Sequence, residues 1–160
     1  NPEIDGSNPS PATILLTNRL SIILRKIFEH TADVGIKVEC STLSAAFNEL
    51  SLSFTEIVTG GNLTAKQKTY PISLVSEDLD SLLVKFVSHL IFLFDTKNFL
   101  PSSAEVDVVI SDPCEINGQL LGDLYDEERH GYGVEVKAVS YHMLEISVGP
   151  PSTIVIILDL

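Results

Sequence analysis

The final residues of the sequence, TIVIILDL, place two negative charges at the end of an apolar strand. Asp159 carries one charge, and the terminal carboxylate of Leu160 carries the other. Two such charges about 5 Å apart repel each other by roughly 3 kcal/mol at an effective dielectric constant of 20. A lysine or arginine, a hard divalent cation or water could offset this repulsion. The strand pattern alone favours an end that frays into water.

A second group of polar side chains lies in the segment FEHTADVGIKV. His30, Thr31 and Asp33 interrupt the approach to a strand there, as the residues of a functional loop would. A purely structural role is equally open, with Asp33 capping a turn and His30 donating to a backbone carbonyl. Spacing alone does not decide between the two interpretations.

Two further candidates lie in the last third of the chain. Lys137 in VEVKAVSYH falls on the polar face of a predicted strand, where an exposed lysine paired with Glu135 is the ordinary interpretation. His130 in DEERHGYG falls in a turn rich in carboxylates, which favours a loop residue over a ligand. Neither residue identifies a function by itself.

The chemistry available to these residues is limited by what the sequence lacks. It contains no GxSxG elbow, P-loop, GxGxxG or HExxH motif and no zinc-type cluster of Cys and His. A site that is rich in carboxylates and free of thiolates selects Ca²⁺, Mg²⁺ or Mn²⁺, which prefer oxygen ligands. Zinc would require His30 or His130 to join the site.

The composition of the sequence indicates which class of partner the protein would bind and in which cellular compartment we expect it. The 160 residues are enough for one domain, and the net charge of -12 argues against binding to nucleic-acid backbone or anionic lipid and favours a basic macromolecule. Cys40 and Cys114 lack a CxxC spacing, which indicates reduced thiols inside a cell. The longest apolar run meets Asp95 well short of the ~20 residues that span a bilayer. We therefore expect an intracellular protein, in the cytoplasm or the nucleus, without a membrane segment.

Two amphipathic helices must help to position the candidate residues. The first follows Ser41 or Thr42 as N-cap, repeats apolar residues at helical spacing as far as Ile57 and ends at Gly60-Gly61. The second follows Ser76 and extends from Leu79 to Leu93, with Glu77 and Asp78 in the first turn, where the helix dipole favours anions.

The remaining apolar segments have the composition of strands. They are GIKVEC, YPISL, VDVVIS, QLLGDLY, VEVKAVSYHMLEISV and TIVIILDL. The alternation in the fifth segment changes phase near Ser140 to Met143, which predicts a bulge or turn. The last segment scarcely alternates, so it should be a central strand. These elements predict an α+β fold, a two-layer sandwich with two helices packed on one face of a mostly antiparallel sheet.

Three of the segments quoted above also occur together in a known family. FEHTADVGI, KAVSYH and a closing Asp-Leu resemble, in this order, the motifs of the archease family, which are small activators of the RtcB-type tRNA-splicing RNA ligase. The resemblance covers the chain from about Ile27 to Leu160. It implies a non-catalytic protein that helps the ligase to become guanylylated on its active-site histidine and to turn over repeatedly, while the ligase uses GTP and divalent metal.

The resemblance also implies roles for particular residues. Asp33, Asp159 and the terminal carboxylate of Leu160 would hold a divalent cation, with Ca²⁺ preferred and Mg²⁺ or Mn²⁺ as alternatives. His30 and Lys137 would form a partner-activation patch beside it. The implied partner is an RtcB-type RNA ligase, and no direct contact with nucleic acid is expected.

The chain departs from the family pattern in two places. Asp123 in GDLYDEERH stands where archeases commonly carry Glu, which shortens the side chain by one methylene. The first 25 residues have no counterpart in the family. We therefore predict a partly flexible N-terminal extension over residues 1–25 and an archease-like domain over residues 26–160.

Two other classes of function compete with an accessory factor. In a metal-dependent hydrolase or nuclease, Asp33 and Asp159 would hold the metal while His30 or Lys137 transferred a proton. A chaperone-like modulator of an RNA-modifying enzyme would bind its partner without metal. Turnover by the purified protein would favour the former, and binding that survives EDTA would favour the latter.

Overall fold

The computed structural model describes residues 13–17, 22–30 and 32–160. Within these ranges the chain forms eight strands and three helices. In order they are β1 (Thr13–Thr17), β2 (Ile22–His30), β3 (Asp33–Cys40), α1 (Leu43–Thr59), β4 (Lys68–Ser76), α2 (Leu79–Lys97), β5 (Phe99–Val109), β6 (Cys114–Leu124), α3 (Glu127–His130), β7 (Ala138–Ser147) and β8 (Ser152–Asp159).

The strands form two antiparallel sheets. The larger sheet has the order β1-β2-β3-β8-β7, and the smaller has the order β4-β6-β5. This confirms the α+β class and the antiparallel pairing, whereas the prediction of one sheet is wrong. Alternation along a strand shows which of its faces is apolar, but it does not show which strand lies beside it.

Both long helices contact both sheets, so the prediction that they pack on one face of a single sheet is also wrong. Helix α1 contacts β3 and β8 of the larger sheet and β5 of the smaller one. Its fully buried positions include three small hydroxyl residues, Ser51, Ser53 and Thr55. Thr55 donates to the carbonyl of Pro101 in β5. Buried polar residues such as Thr55 are absent from the apolar periodicity, so the contact of α1 with β5 could not be predicted from that periodicity.

Both predicted long helices are confirmed, with boundaries fixed by their caps. The Thr42 hydroxyl accepts a hydrogen bond from the amide of Ala45, and Gly60 ends α1 in the left-handed conformation that glycine adopts without strain. In α2 the carboxylate of Asp78 accepts from the amide of Ser81. Asp78 is therefore the N-cap of α2 and not a residue of its first turn.

Strand β8 is an interior strand, as its lack of alternation predicted. It lies between β3 and β7, and its residues from Ser152 to Leu158 are buried or half-buried. The predicted bulge in β7 is confirmed by a shift of register between Ser140 and Glu145, where Met143 has a positive φ of 58°.

Two segments differ from the strand prediction. Strand β7 begins at Ala138, because the amide of Val134 instead donates to the carbonyl of Ile57 in α1. The described part of residues 1–25 contains all of β1 and the beginning of β2, which pair with each other from Thr17 and Ile22 to Thr13 and Lys26. Neither strand was recognised in the sequence.

Candidate metal site at one end of the larger sheet

Asp33 and Asp159 lie directly opposite each other at one end of the larger sheet. Asp33 is the first residue of β3 and Asp159 the last of β8, and the antiparallel register pairs them. On the far side of β8, Asp159 pairs with Ala138 of β7. Directly opposite residues of an antiparallel pair share a face, with Cβ atoms ~4.5–5.5 Å apart. The register therefore brings two carboxylates together that are separated by most of the sequence.

The HTAD segment leads from the end of β2 to the beginning of β3. His30, the last residue of β2, pairs with Asp33, the first residue of β3, so the two strands are paired at these positions. Ala32 has a positive φ of 68°, which is uncommon for a residue other than glycine. Thr31 and the side chain of His30 lie outside the described residues. The predicted role of His30 in a partner-activation patch therefore stays a prediction.

Lys137 reaches the same end of the sheet through its main chain. Its amide donates to the carbonyl of Asp159 over 2.9 Å, and its side chain is exposed. The structure thus places three of the predicted site residues, Asp33, Lys137 and Asp159, next to one another on β3, β8 and the residue that precedes β7.

The charges at this end of the sheet suit a hard cation. Asp159 is exposed and Asp33 half-buried, and like charges placed directly opposite each other destabilise a sheet. Their oxygen donors match the preference of Ca²⁺, Mg²⁺ and Mn²⁺. Among the described residues no three His, Cys, Asp or Glu side chains lie close enough to hold a metal. A site here therefore needs a further oxygen, such as the main-chain carboxylate predicted at Leu160.

The side chain of Leu160 is half-buried and packs against the hydrophobic core. The residue after Asp159 is thus held against the protein, in contrast to the frayed end that the strand pattern favoured. This contact keeps the main chain of Leu160 near the two aspartates. The predicted third ligand remains compatible with this geometry.

His130 and Asp123 have structural contacts instead. His130 is buried in α3, and its Nδ1 accepts a hydrogen bond from the amide of Asp126 over 3.0 Å. The hydrogen bond gives the Nδ1 atom of His130 a structural role in α3. Asp123 is buried in β6, where its Oδ1 accepts from the amide of Leu124 and its Oδ2 lies 3.7 Å from Arg129 Nη1. Hydrogen bonding to Arg129 lowers the pKa of Asp126.

A buried group of charged residues was missed by the sequence analysis. Arg25 of β2 lies with its Nε 3.4 Å from Glu49 Oε1 and its Nη2 3.1 Å from Glu56 Oε1, both on α1. Burial raises the pKa of Glu49, although Arg25 opposes the rise. Burial and the Glu49 charge raise the pKa of the neighbouring Cys40 to about 12. The only signal in the sequence is an arginine among the apolar residues of ILRKIF.

In the described part of the chain, no helix is both long and apolar enough to cross a lipid bilayer. Fold and site together define a class of α+β proteins in which two antiparallel sheets share two long helices and two aspartates meet at the end of the larger sheet. The chain belongs to the archease family. The family model described as "Archease protein family (MTH1598/TM1083)" matches residues 26–160.

Relatives and a solved structure agree with this assignment. The chain is 36% identical to the protein archease of Pyrobaculum islandicum and 33% identical to that of Pyrobaculum neutrophilum, over 74% of this chain and 82% of each relative. The solution structure of Methanobacterium thermoautotrophicum protein 1598 is similar with a TM-score of 0.66 and 29% identity, over 84% of this chain and 96% of that one. The resemblance seen in three short motifs is thereby confirmed.

Proposed function

We propose that the protein activates an RtcB-type RNA ligase, promoting its guanylylation and repeated turnover, without catalysing a reaction itself. Membership of the archease family supports this proposal, and one structural observation carries it. Asp33 and Asp159 are paired across β3 and β8, with the main chain of Lys137 bound to Asp159. The sheet register and this hydrogen bond thus bring together three of the residues implied by the family motifs.

In this proposal Asp33, Asp159 and the carboxylate of Leu160 hold a divalent cation, with Ca²⁺ preferred over Mg²⁺ or Mn²⁺. The cation supplies positive charge where the fold has gathered negative charge, and it links β3 to β8. Lys137 and His30 offer further groups beside it for contact with the ligase. The net charge of -12 suits docking on a basic protein surface.

Guanylylation of the cognate ligase, followed with radiolabelled GTP in the presence and absence of this protein, tests the proposal. We expect Asp33→Asn and Asp159→Asn to abolish stimulation, because each removes a ligand from a site with few others. Asp107→Asn serves as a matched control, since Asp107 is an exposed strand aspartate in the smaller sheet. Ligase turnover that is unaltered by both site variants would contradict the proposal.

A residue appended after Leu160 tests the predicted third ligand. The extension moves the terminal carboxylate by ~3.5 Å. We expect stimulation to fall sharply and the affinity for Ca²⁺, measured by calorimetry, to fall with it. Hydrolysis of phosphodiester substrates by the purified protein alone would instead support a metal-dependent hydrolase.

A further inference from the structure

The chain between α3 and β7, residues 131–137, leads to Lys137 without forming a helix or a strand. We call it the 131–137 segment. Its contacts lie along the C-terminal end of α1, where the last carbonyls of a helix lack partners within the helix. The amide of Gly133 donates to the carbonyl of Val58 over 2.8 Å, and that of Val134 donates to the carbonyl of Ile57 over 3.2 Å. The segment therefore caps α1.

In this contact the backbone of the 131–137 segment packs directly against the backbone at the end of α1. A Cβ atom built on Gly133 would lie 2.1 Å from the carbonyl oxygen of Ile57 and 2.7 Å from the amide nitrogen of Gly60. Gly131 has a positive φ of 83°, and a Cβ atom there would lie 2.9 Å from the carbonyl oxygen of Thr59. Both glycines are required for the segment to approach the helix as closely as it does.

Side chains hold the beginning of the segment. Asn62 Nδ2 donates to the carbonyl of His130 over 2.7 Å, and Tyr125 Oη donates to the carbonyl of Gly131 over 2.6 Å. Asn62 is itself fixed to α1, because its amide donates to Thr59 Oγ1 and its carbonyl accepts from the same hydroxyl. At the other end, the amide of Lys137 donates to the carbonyl of Asp159.

From these contacts we infer that Asn62 and Gly133 are positioning residues, which fix the 131–137 segment on α1 and thereby fix Lys137 relative to Asp33 and Asp159. The inference rests on the proposed function for its biological meaning. It adds to that proposal a second requirement: the end of α1, and not the sheet alone, determines where Lys137 presents its charge to the ligase.

Asn62→Ala removes the side-chain donor to His130 and keeps the helix. We expect amide hydrogen exchange at Gly133, Val134 and Lys137 to accelerate by about tenfold or more, because the segment opens more often. Stimulation of the ligase should fall by about 3- to 10-fold, within the range usual for residues of one network. Affinity for Ca²⁺ should change little, since Asp33 and Asp159 remain paired.

A double-mutant cycle of Asn62→Ala with Lys137→Ala tests whether Asn62 acts by positioning Lys137 or only by stabilising the fold. If Asn62 acts through Lys137, the double variant stimulates the ligase as weakly as Lys137→Ala alone. Gly133→Ala should act in the same direction and more strongly. Gly61→Ala is the matched control, because it strains the same helix end at a φ of 117° while its Cβ would meet no atom within 4 Å.

Two results would overturn the inference: unchanged exchange at the Lys137 amide in Asn62→Ala, or losses of stimulation by Asn62→Ala and Lys137→Ala that simply multiply. A wild-type protein that fails to stimulate the ligase would overturn the proposed function instead. Exchange at the Lys137 amide would then still decide whether Asn62 holds the segment in place.

Discussion

Two regions of this molecule each bring a pair of carboxylates together, and the two pairs differ in their exposure to solvent. Glu49 and Glu56 converge in the interior on Arg25, whose side chain is only 6% exposed. Asp33 and Asp159 converge at the end of the larger sheet, where Asp159 is exposed to solvent. The interior pair lies beside an arginine that is buried with it, whereas the sheet-end pair lies where solvent reaches Asp159.

The difference follows from the cost of charge in each environment. A buried charge without a partner costs several kcal/mol, so an arginine beside an interior carboxylate pair offsets part of the cost of burying it. Two carboxylates at a solvated sheet end repel each other far less than a buried pair does, because water and salt screen them. Such a pair therefore costs the fold little and is available for binding. We therefore expect substitutions in the Arg25 group to act mainly on stability and, under the proposed function, substitutions of the aspartate pair to act mainly on activation of the ligase.

The largest effect is expected from breaking the interior group. Arg25→Met leaves the buried Glu49 and the half-buried Glu56 without their cation, and we expect it to lower the free energy of unfolding by about 3–5 kcal/mol. Urea denaturation measures the loss. Adding Glu49→Gln and Glu56→Gln to Arg25→Met should recover much of it, since no buried charge then remains. A loss below about 1 kcal/mol in the single variant would contradict the role given to Arg25.

The second prediction concerns the sheet end. In the absence of divalent cation, Asp159→Asn should leave the free energy of unfolding within about 1 kcal/mol of the wild type, and relief of repulsion favours a slight gain. At Ca²⁺ concentrations about 100 times the Kd, the wild type should gain about 2.7 kcal/mol, and the variant nothing. Thermal unfolding with Ca²⁺ and with EDTA gives the comparison. An equal gain in stability with Ca²⁺ in both proteins would show that the cation does not bind at Asp159.

The smallest effect is expected from pH. Because burial raises the pKa of Glu49, the folded protein keeps this proton to a higher pH than the unfolded chain does. The stability contributed by Glu49 is therefore complete below its unfolded pKa and is lost as pH rises through the folded pKa. We expect the wild type to lose stability relative to Glu49→Gln in urea titrations as the pH rises above 4.5, the ordinary pKa of a glutamate. A gain in stability relative to Glu49→Gln would show that the charge of Arg25 affects the pKa of Glu49 more than burial does.

Local signals in the sequence identified the helices and the central strand. The Thr42 cap and Gly60 lie within a few residues of the helix that they end, and the unbroken apolar run of β8 reports burial on both faces. Strand β2 was missed because Arg25 interrupts its apolar pattern, and the partner that allows its burial, Glu49, lies 24 residues later on α1. Sheet membership was likewise decided by contacts between distant segments.

The candidate site was only partly accessible to the same reasoning. Asp33, Lys137 and Asp159 were singled out by their motifs. The register of β3 and β8 pairs the two aspartates, and the amide of Lys137 donates to the carbonyl of Asp159. Their roles as ligands and as an activation patch remain predictions. The contribution of Asn62 had no signal in the sequence, because it acts through a single hydrogen bond to a main-chain carbonyl 68 residues away.

Strand β8 follows every other described strand in the sequence, yet it takes a place between β3 and β7. During synthesis the earlier hairpins can form first, but Asp33 meets Asp159 only after residue 159 has emerged and β8 has inserted. Under the proposed function, a copy in which β8 has not inserted would lack the aspartate pair and would not activate a ligase. Insertion of β8 is thus the folding step that assembles the pair.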